Sequence, residues 1–324
     1  MKTHRFLRSL RRPYPGLTVG IGNYDGVHLG HRRVLRKLRA LAGEKGTVGV
    51  ITFTPHTRSL VSGREESLLL AVGDRLRRLE KEGVDVCWLV GFNRRLAGMS
   101  PRRFVEEVLV DDLKIKAIAV GAGYRFGRGA RGDVRLLGRL GRELGFAVKE
   151  VPWARSGGRR ISSSEIRRAV RSGDLRRAEK MLGSPYCLTG RVIKGEGRGS
   201  ALGYPTANFQ PDQLVPAPGV YAAWIGFGGA VRPGLLYLGS APTFASGRGR
   251  PLAEAYVFGW KESLYGRRIN VCLNKRLRKD IKFKNVESLL ARIREDEKAA
   301  RRILKSFPAG FSLKPSAFNL QPST

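Results

Sequence analysis

The sequence predicts two folded parts: an α/β domain built on a parallel sheet, then a small antiparallel β-barrel closed by a helix. Three observations carry this expectation. Between residues 17 and 153, short apolar runs alternate with stretches of helical periodicity, the pattern of strand–helix–strand crossovers. After residue 183 the pattern changes to apolar runs divided by Gly- and Pro-rich turns, with little helix between them. A chain of 324 residues is also long enough to bury two cores.

In the first part, strands are expected over 17–22, 47–53, 84–90, 116–121 and 147–152, and helices near 31–44, 74–82, 101–112 and 133–145. Right-handed crossovers then cover both faces of a parallel sheet, and ligands bind beyond the C-terminal strand ends. The first such end is Gly22-Asn23-Tyr24-Asp25-Gly26-Val27-His28-Leu29-Gly30-His31. It leads into a helix whose Val34, Leu35, Leu38, Leu41 and Ala42 share one face. Free backbone N–H groups and the positive helix end make such a turn an anion site. Two of the four histidines fall within it, so His28 and His31 are the candidate catalytic pair. Gly22, Asn23, Asp25, Gly26 and Gly30 are the candidate phosphate-binding residues around them.

Other segments end at the same rim. One is Thr52-Phe53-Thr54-Pro55-His56; another is Gly121-Ala122-Gly123-Tyr124-Arg125-Phe126-Gly127. Ser100 and Pro101 read as a helix cap and first-turn residue, with no chemistry assigned to them. Ser162-x-x-Glu165 reads as a capping box with Ile166, Ala169 and Val170 on the apolar face behind it. Ser163, Ser164 and Arg167 at that capped start are candidate donors for a triphosphate tail.

A helix over 175–183 with Gly183 as its cap and Pro185 beyond it places the domain boundary after residue 183. The barrel domain spans 184–305, with strands over 186–193, 220–227, 235–239, 253–260 and 268–273. Val286, Leu289, Leu290 and Ile293 mark its closing helix. Residues 306–324 lack periodicity and are expected to be poorly ordered. Within the barrel, Gly195, Gly197, Arg198, Gly199 and Gly203 form a glycine-rich loop for close approach to phosphates. No Gly-Lys-Ser/Thr ends it, so it is not a Walker A loop.

Composition bounds the setting. No apolar run approaches the ~18 residues of a membrane span, and Pro13 and Pro15 interrupt the place of a signal peptide. Cys87, Cys187 and Cys272 are odd in number with no close pair, which argues against a disulfide framework or zinc site and for a reducing cytoplasm. The formal net charge of +34 exceeds what phosphate-bearing substrates require. It is read first as a solvated basic surface, with non-specific nucleic-acid affinity as a further expectation.

His28-Leu29-Gly30-His31 resembles the HxGH signature of the nucleotidylyltransferase superfamily, and residues 22–31 resemble the bacterial bifunctional riboflavin kinase/FAD synthetase family in particular. The resemblance extends to Thr52–His56 in its TF-x-P-H segment, to Ile161-Ser162-Ser163-Ser164-Glu165-Ile166-Arg167, and to the glycine loop followed by Pro205-Thr206-Ala207-Asn208. It covers roughly residues 15–304. It implies a Rossmann-like FMN adenylyltransferase domain followed by a riboflavin kinase domain, acting on riboflavin, FMN, FAD and ATP with Mg²⁺. By resemblance Thr206 and Asn208 hold the metal, Glu254 is the kinase base, and Tyr124, Arg125 and Phe126 bind flavin. A monomer or weak oligomer, off the membrane, is expected. Gly123 stands where the family carries Asp or Asn, and Tyr237 and Tyr256 replace an Asn and a common His. Gly123 favours a kinase-only alternative, with a weakened adenylyltransferase site. The charge favours a second alternative, a non-catalytic flavin- or RNA-binding protein.

Overall fold

The computed structural model describes residues 1–5, 14–63, 66–195, 199, 202–239 and 252–305. They fall into two compact units, Met1–Ser162 and Ser163–Thr324.

The first unit is built on six parallel strands: β1 (Lys2–His4), β2 (Thr18–Ile21), β3 (Val48–Thr54), β4 (Val86–Gly91), β5 (Ala117–Gly121) and β6 (Ala147–Val151). Their spatial order is β1-β4-β3-β2-β5-β6. Helices α1 (Leu29–Ala42) and α3 (Val72–Lys81) lay Val34, Leu35, Leu38, Leu76 and Leu79 on one face of the sheet. Phe104, Val105, Val108 and Leu109, from the π-type turns over Phe104–Asp112, and Leu137 and Leu140 of the helix Val134–Leu144 cover the other face. The sheet is thus covered on both sides, and its inner strands β2 to β5 are nearly continuous apolar runs, as buried parallel strands must be, while the edge strands β1 and β6 carry polar, exposed residues.

The chain steps outward from β2 through β3 to β4, then returns to place β5 on the other side of β2. The reversal puts the switch point of the sheet between the C-terminal ends of β2 and β5. The turn carrying His28 and the segment 121–123 are the two extensions that leave those ends. β1, the short helices α2 (Thr57–Ser62) and α4 (Arg94–Gly98), and the hairpin of β7 (Arg155–Ser156) with β8 (Arg159–Arg160) were not expected from the sequence. Each is too short to show periodicity.

The second unit opens with the helices Ser163–Ser172 and Leu175–Leu182. The sequence reading attached both to the first domain. Here they group with the barrel, because Leu175–Leu182 packs on its strands and Gly173 lies against Tyr221 and Arg276.

Six antiparallel strands then close a barrel: β9 (Tyr186–Ile193), β10 (Thr206–Phe209), β11 (Gly219–Phe227), β12 (Ala230–Leu238), β13 (Ala253–Val257) and β14 (Arg268–Lys279). The order around it is β10-β13-β12-β11-β14-β9. The closing helix Val286–Ile303 is tied to the barrel by Asp296, which is 4% exposed and accepts from Arg278 of β14 at 2.8 Å.

One expectation is corrected. Cys187 and Cys272 form a disulfide across paired strands β9 and β14, while Cys87 is buried and free. The two are 85 residues apart in sequence and become neighbours only when the barrel closes, so spacing along the chain gave no sign of the pair. Cysteine count therefore carries no statement about compartment.

Candidate functional sites

In the first unit His28 is the N-cap of α1, and its Nδ1 accepts from the backbone N–H of His31 at 3.3 Å. The helix phase returns His31 over His28, and the two rings stack with centroids 3.7 Å apart. Tyr24 closes the other side of His31 at 5.0 Å. Burial lowers the pKa of His28 to about 4, with the charge of Arg160 acting in the same direction. Burial also holds His31 well below the usual imidazole range, assisted by His28 and Arg75. Both rings are therefore neutral near pH 7, each with one N–H to donate. Nδ1 of His31 is buried and has no hydrogen-bond partner among the described residues.

The turn is held from beneath. Tyr24, Gly26 and Val27 all have positive φ, at 47°, 90° and 39°; for a β-branched residue such as Val27 this is a strained state. Asp25 was expected among the phosphate-binding residues. It is instead 1% exposed, and its carboxylate accepts from the backbone N–H groups of Leu69 and Leu70 at 2.9–3.1 Å. A carboxylate committed to buried amides fixes the loop and would repel a phosphate. Asn23 is bound both ways to Thr57, through Nδ2 at 2.9 Å and Oδ1 at 3.2 Å. Arg75, 1% exposed, donates to the carbonyls of Asn23 at 2.7 Å and Phe53 at 3.0 Å, clamping two strand exits together. No local pattern singles out Arg75, one of three arginines in the first turns of α3. His56 also serves locally, as a cap accepting from Arg58 N–H.

Of the expected flavin-binding residues, Phe126 is the most enclosed. It is 7% exposed and belongs to the sheet core, packed against Phe104 and Gly132. Tyr124 stacks on it at 5.5 Å, and the Arg125 side chain is 60% exposed, 3.9 Å from Asp133. Gly123 has its side-chain space taken: a Cβ there would meet the Trp153 indole at 2.4 Å and 2.6 Å. Ser163, Ser164 and Arg167 lie at the start of the second unit, where Arg167 is 2% exposed and none of the three is free of partners.

In the second unit, Thr206 and Asn208 point to one face of β10, two residues apart. Register places Glu254 of β13 opposite Asn208 and beside Tyr237 of β12. Cross-strand partners share a face, so Thr206, Asn208 and Glu254 converge. Two cavities meet at Thr206. One of about 310 Å³ is lined by Glu254, Tyr237, Tyr256, Tyr204 and Asp280 and reaches the closing helix at Leu289 and Ile293. The other, of about 550 Å³, is lined by Gly195, Asn208, Trp260 and Tyr265. Tyr237 donates to Asp280 at 3.1 Å, and burial with the charges of Asp280 and Glu254 pushes its pKa up to about 12. The amide of Asn208 fills the space a Cβ on Gly195 would occupy, and Thr206 Oγ1 lies 3.2 Å from that of Gly199. Gly203 has φ +81°, a turn conformation that suits glycine. Gly197, Arg198, residues 240–244 and the tail 306–324 lie outside the described residues.

Comparison with known proteins gives two family matches: FAD synthetase over residues 12–165 and riboflavin kinase over residues 182–304. The bifunctional riboflavin kinase/FMN adenylyltransferase of Escherichia coli K12 is 37% identical over 306 residues, covering 93% of this chain and 97% of that protein. The protein of the same name from Bacillus subtilis is 33% identical, covering 88% and 91%. A solved structure titled as a macrolide-efflux protein from Streptococcus pneumoniae superposes with a TM-score of 0.83 at 26% identity, covering 93% of this chain and 99% of that one. Among the described residues, no helix is long and apolar enough to cross a membrane. With two matched families in order along one chain, and relatives above 30% identity covering most of it, the chain belongs to the bifunctional riboflavin kinase/FMN adenylyltransferase family.

Proposed function

We infer that the second unit phosphorylates riboflavin with ATP to give FMN, and that the first joins FMN to the adenylyl group of a second ATP to give FAD. The observation that carries this is the presence of two separate constellations, His28/His31 and Thr206/Asn208/Glu254, each inside its own family match.

For adenylyl transfer, an FMN phosphate oxygen attacks the α-phosphorus of ATP. The new P–O bond forms as the α–β bridge breaks and pyrophosphate leaves. The nucleophile is already anionic, so the site supplies orientation and charge stabilisation and needs no base. Neutral His28 and His31 donate hydrogen bonds to the oxygens that gain charge, and the backbone N–H groups around Gly26 and Gly30 add to them, whereas that of Gly22 donates to the Ile51 carbonyl at 3.1 Å. Asp25, Asn23 and Arg75 are positioning residues. The assignment of Ser163, Ser164 and Arg167 to the triphosphate rests on their motif.

For the kinase step the nucleophile is a neutral ribityl hydroxyl. Glu254 accepts its proton as the oxygen bonds to the γ-phosphorus and ADP departs. The smaller cavity, with its tyrosines, suits the flavin, and the larger, along Gly195, suits the nucleotide. Thr206 stands in the wall common to both. A hydroxyl and an amide oxygen are hard donors that fit Mg²⁺, a cation that binds few side chains and leans on substrate phosphates. Bound there, it would neutralise charge on the transferring group. The net charge of +34 supports salt-sensitive adherence of nucleic acid as a by-product of the basic surface.

A chromatographic time course with riboflavin, ATP and Mg²⁺ tests the reading. FMN should rise and then convert to FAD. FMN accumulating without FAD would favour the kinase-only alternative, for which Gly123 is the motivating residue.

A further inference from the structure

We propose that Cys187 and Cys272 are a redox-modification site of the second unit. Bonded, the pair locks β9 into the barrel. Opened by a dithiol reductant, it loosens the half of the chain that carries the FMN-forming site and leaves the other half untouched. The proposal goes beyond the functions inferred above, and only its activity readout rests on them.

Cys187 is the second residue of β9 and stands directly opposite Cys272 of β14, so the two side chains share a face. β9 depends on that hold. On its other side, among the described residues, it meets β10 only at Val192 with Phe209 and Ile193 with Asn208. Both stapled strands lead into the candidate kinase site. β9 runs on to Ile193, Lys194 and Gly195 in the wall of the larger cavity. β14 runs on to Arg278 and Asp280 in the wall of the smaller. The disulfide joins positions 85 residues apart, and the loop it closes contains Thr206, Asn208, Tyr237 and Glu254. Closing so long a loop removes many conformations from the unfolded chain, so the bond favours the folded barrel. The pair also lies in an apolar cluster with Val220 and Leu235, which themselves line the smaller cavity. The first unit has no such bond, since its one cysteine, Cys87, is buried and free. Reduction breaks the S–S bond and makes two S–H groups. The two electrons and two protons come from the dithiol, which becomes a disulfide itself. Cys187 is 6% exposed and Cys272 2%, so attack on the bond waits for local opening, and the native state is reduced slowly.

The test compares the full chain air-oxidised and after incubation with dithiothreitol. Unfolded without reductant, the oxidised chain should offer one thiol to a maleimide, that of Cys87, and all three cysteines once reduced. Three reactive thiols in the oxidised chain would overturn the proposal. Reduction should lower the thermal midpoint of the second unit by about 10 °C. It should also speed hydrogen exchange in peptides from β9 and β14 on the order of tenfold or more, with peptides from β2 to β5 unchanged. Heated in steps, the reduced chain should lose FMN formation about 10 °C earlier than the oxidised one, while the heat loss of FAD formation from supplied FMN does not move. Cys187→Ala with Cys272→Ala should match the reduced chain and ignore reductant, and Cys87→Ala should keep the full response. An exchange pattern and midpoint indifferent to reductant, a response that survives in the double alanine variant, or one that reaches both units alike would also reject the site. The two redox forms of the unaltered chain decide even where a variant fails to fold. If the chain forms no FMN, the kinase reading fails on its own, and the thiol count, midpoint and exchange pattern still decide for the disulfide.

Discussion

His28 and His31 illustrate how a residue's chemistry is set by what encloses it. Burial makes both imidazoles neutral, with His28 near 4. An unfolded imidazole titrates near 6.5, so below that pH the unfolded chain binds protons that the folded chain refuses. The stability linked to His28 is therefore complete above about pH 6.5 and is lost as pH falls towards 4. At about 1.36 kcal/mol per unit, His28 accounts for a loss of about 3 kcal/mol. Thermal unfolding of ligand-free protein followed from pH 7 to 4 should show this decline, and His28→Asn, which retains a capping side chain, should lessen it and leave the part due to His31. The sequence identified the pair by type and spacing. It could not reveal their stacking or their neutral state, because both depend on which groups pack around them.

At the level of elements, the strand-to-helix turn is held by groups that come from elsewhere in the chain. Asp25 accepts from Leu69 and Leu70, and Arg75 reaches two strand exits. Removing the carboxylate leaves buried N–H donors unsatisfied and releases a turn with two strained residues, so Asp25→Ala should cost about 3 kcal/mol. Calorimetry should show a lowered transition for the first unit, with FAD formation falling while FMN formation persists. An unchanged transition would mean that the carboxylate does not staple the turn. Some elements were legible only in part. β14 was expected to end at residue 273 but continues through the basic run to Lys279, where it pairs with β11. β12 was expected from residue 235 but begins at Ala230 and runs through Pro233, one residue before its ladder with β13 starts. In both places cross-strand pairing overrides the local signal.

The whole molecule carries two chemistries with different needs, and they should separate by mutation. His28→Ala with His31→Ala should reduce FAD formation on the order of a hundredfold or more, as loss of transition-state donors does, and spare FMN formation. Glu254→Gln should reduce FMN formation by about 10²–10⁴-fold, the usual contribution of a general base, and spare FAD formation from supplied FMN. Rates of both steps in each variant check this, and a folded variant that loses both would refute the two-site assignment. The sequence by itself determined the two-part architecture and the order of the strands along the chain, and it singled out the His pair and the glycine loop as candidates, with Glu254 added by family resemblance. These are written in periodicity and in motifs of neighbouring residues. The tertiary structure decided the rest: Asp25 and Phe126 as supports, Arg75 as a clamp, Trp153 in the place of a side chain at 123, and Cys187 bonded to Cys272. Each is a contact between residues distant in sequence or a matter of which way a side chain faces. Such contacts exist only once the sheet and barrel have closed and burial has set what each polar group must bind.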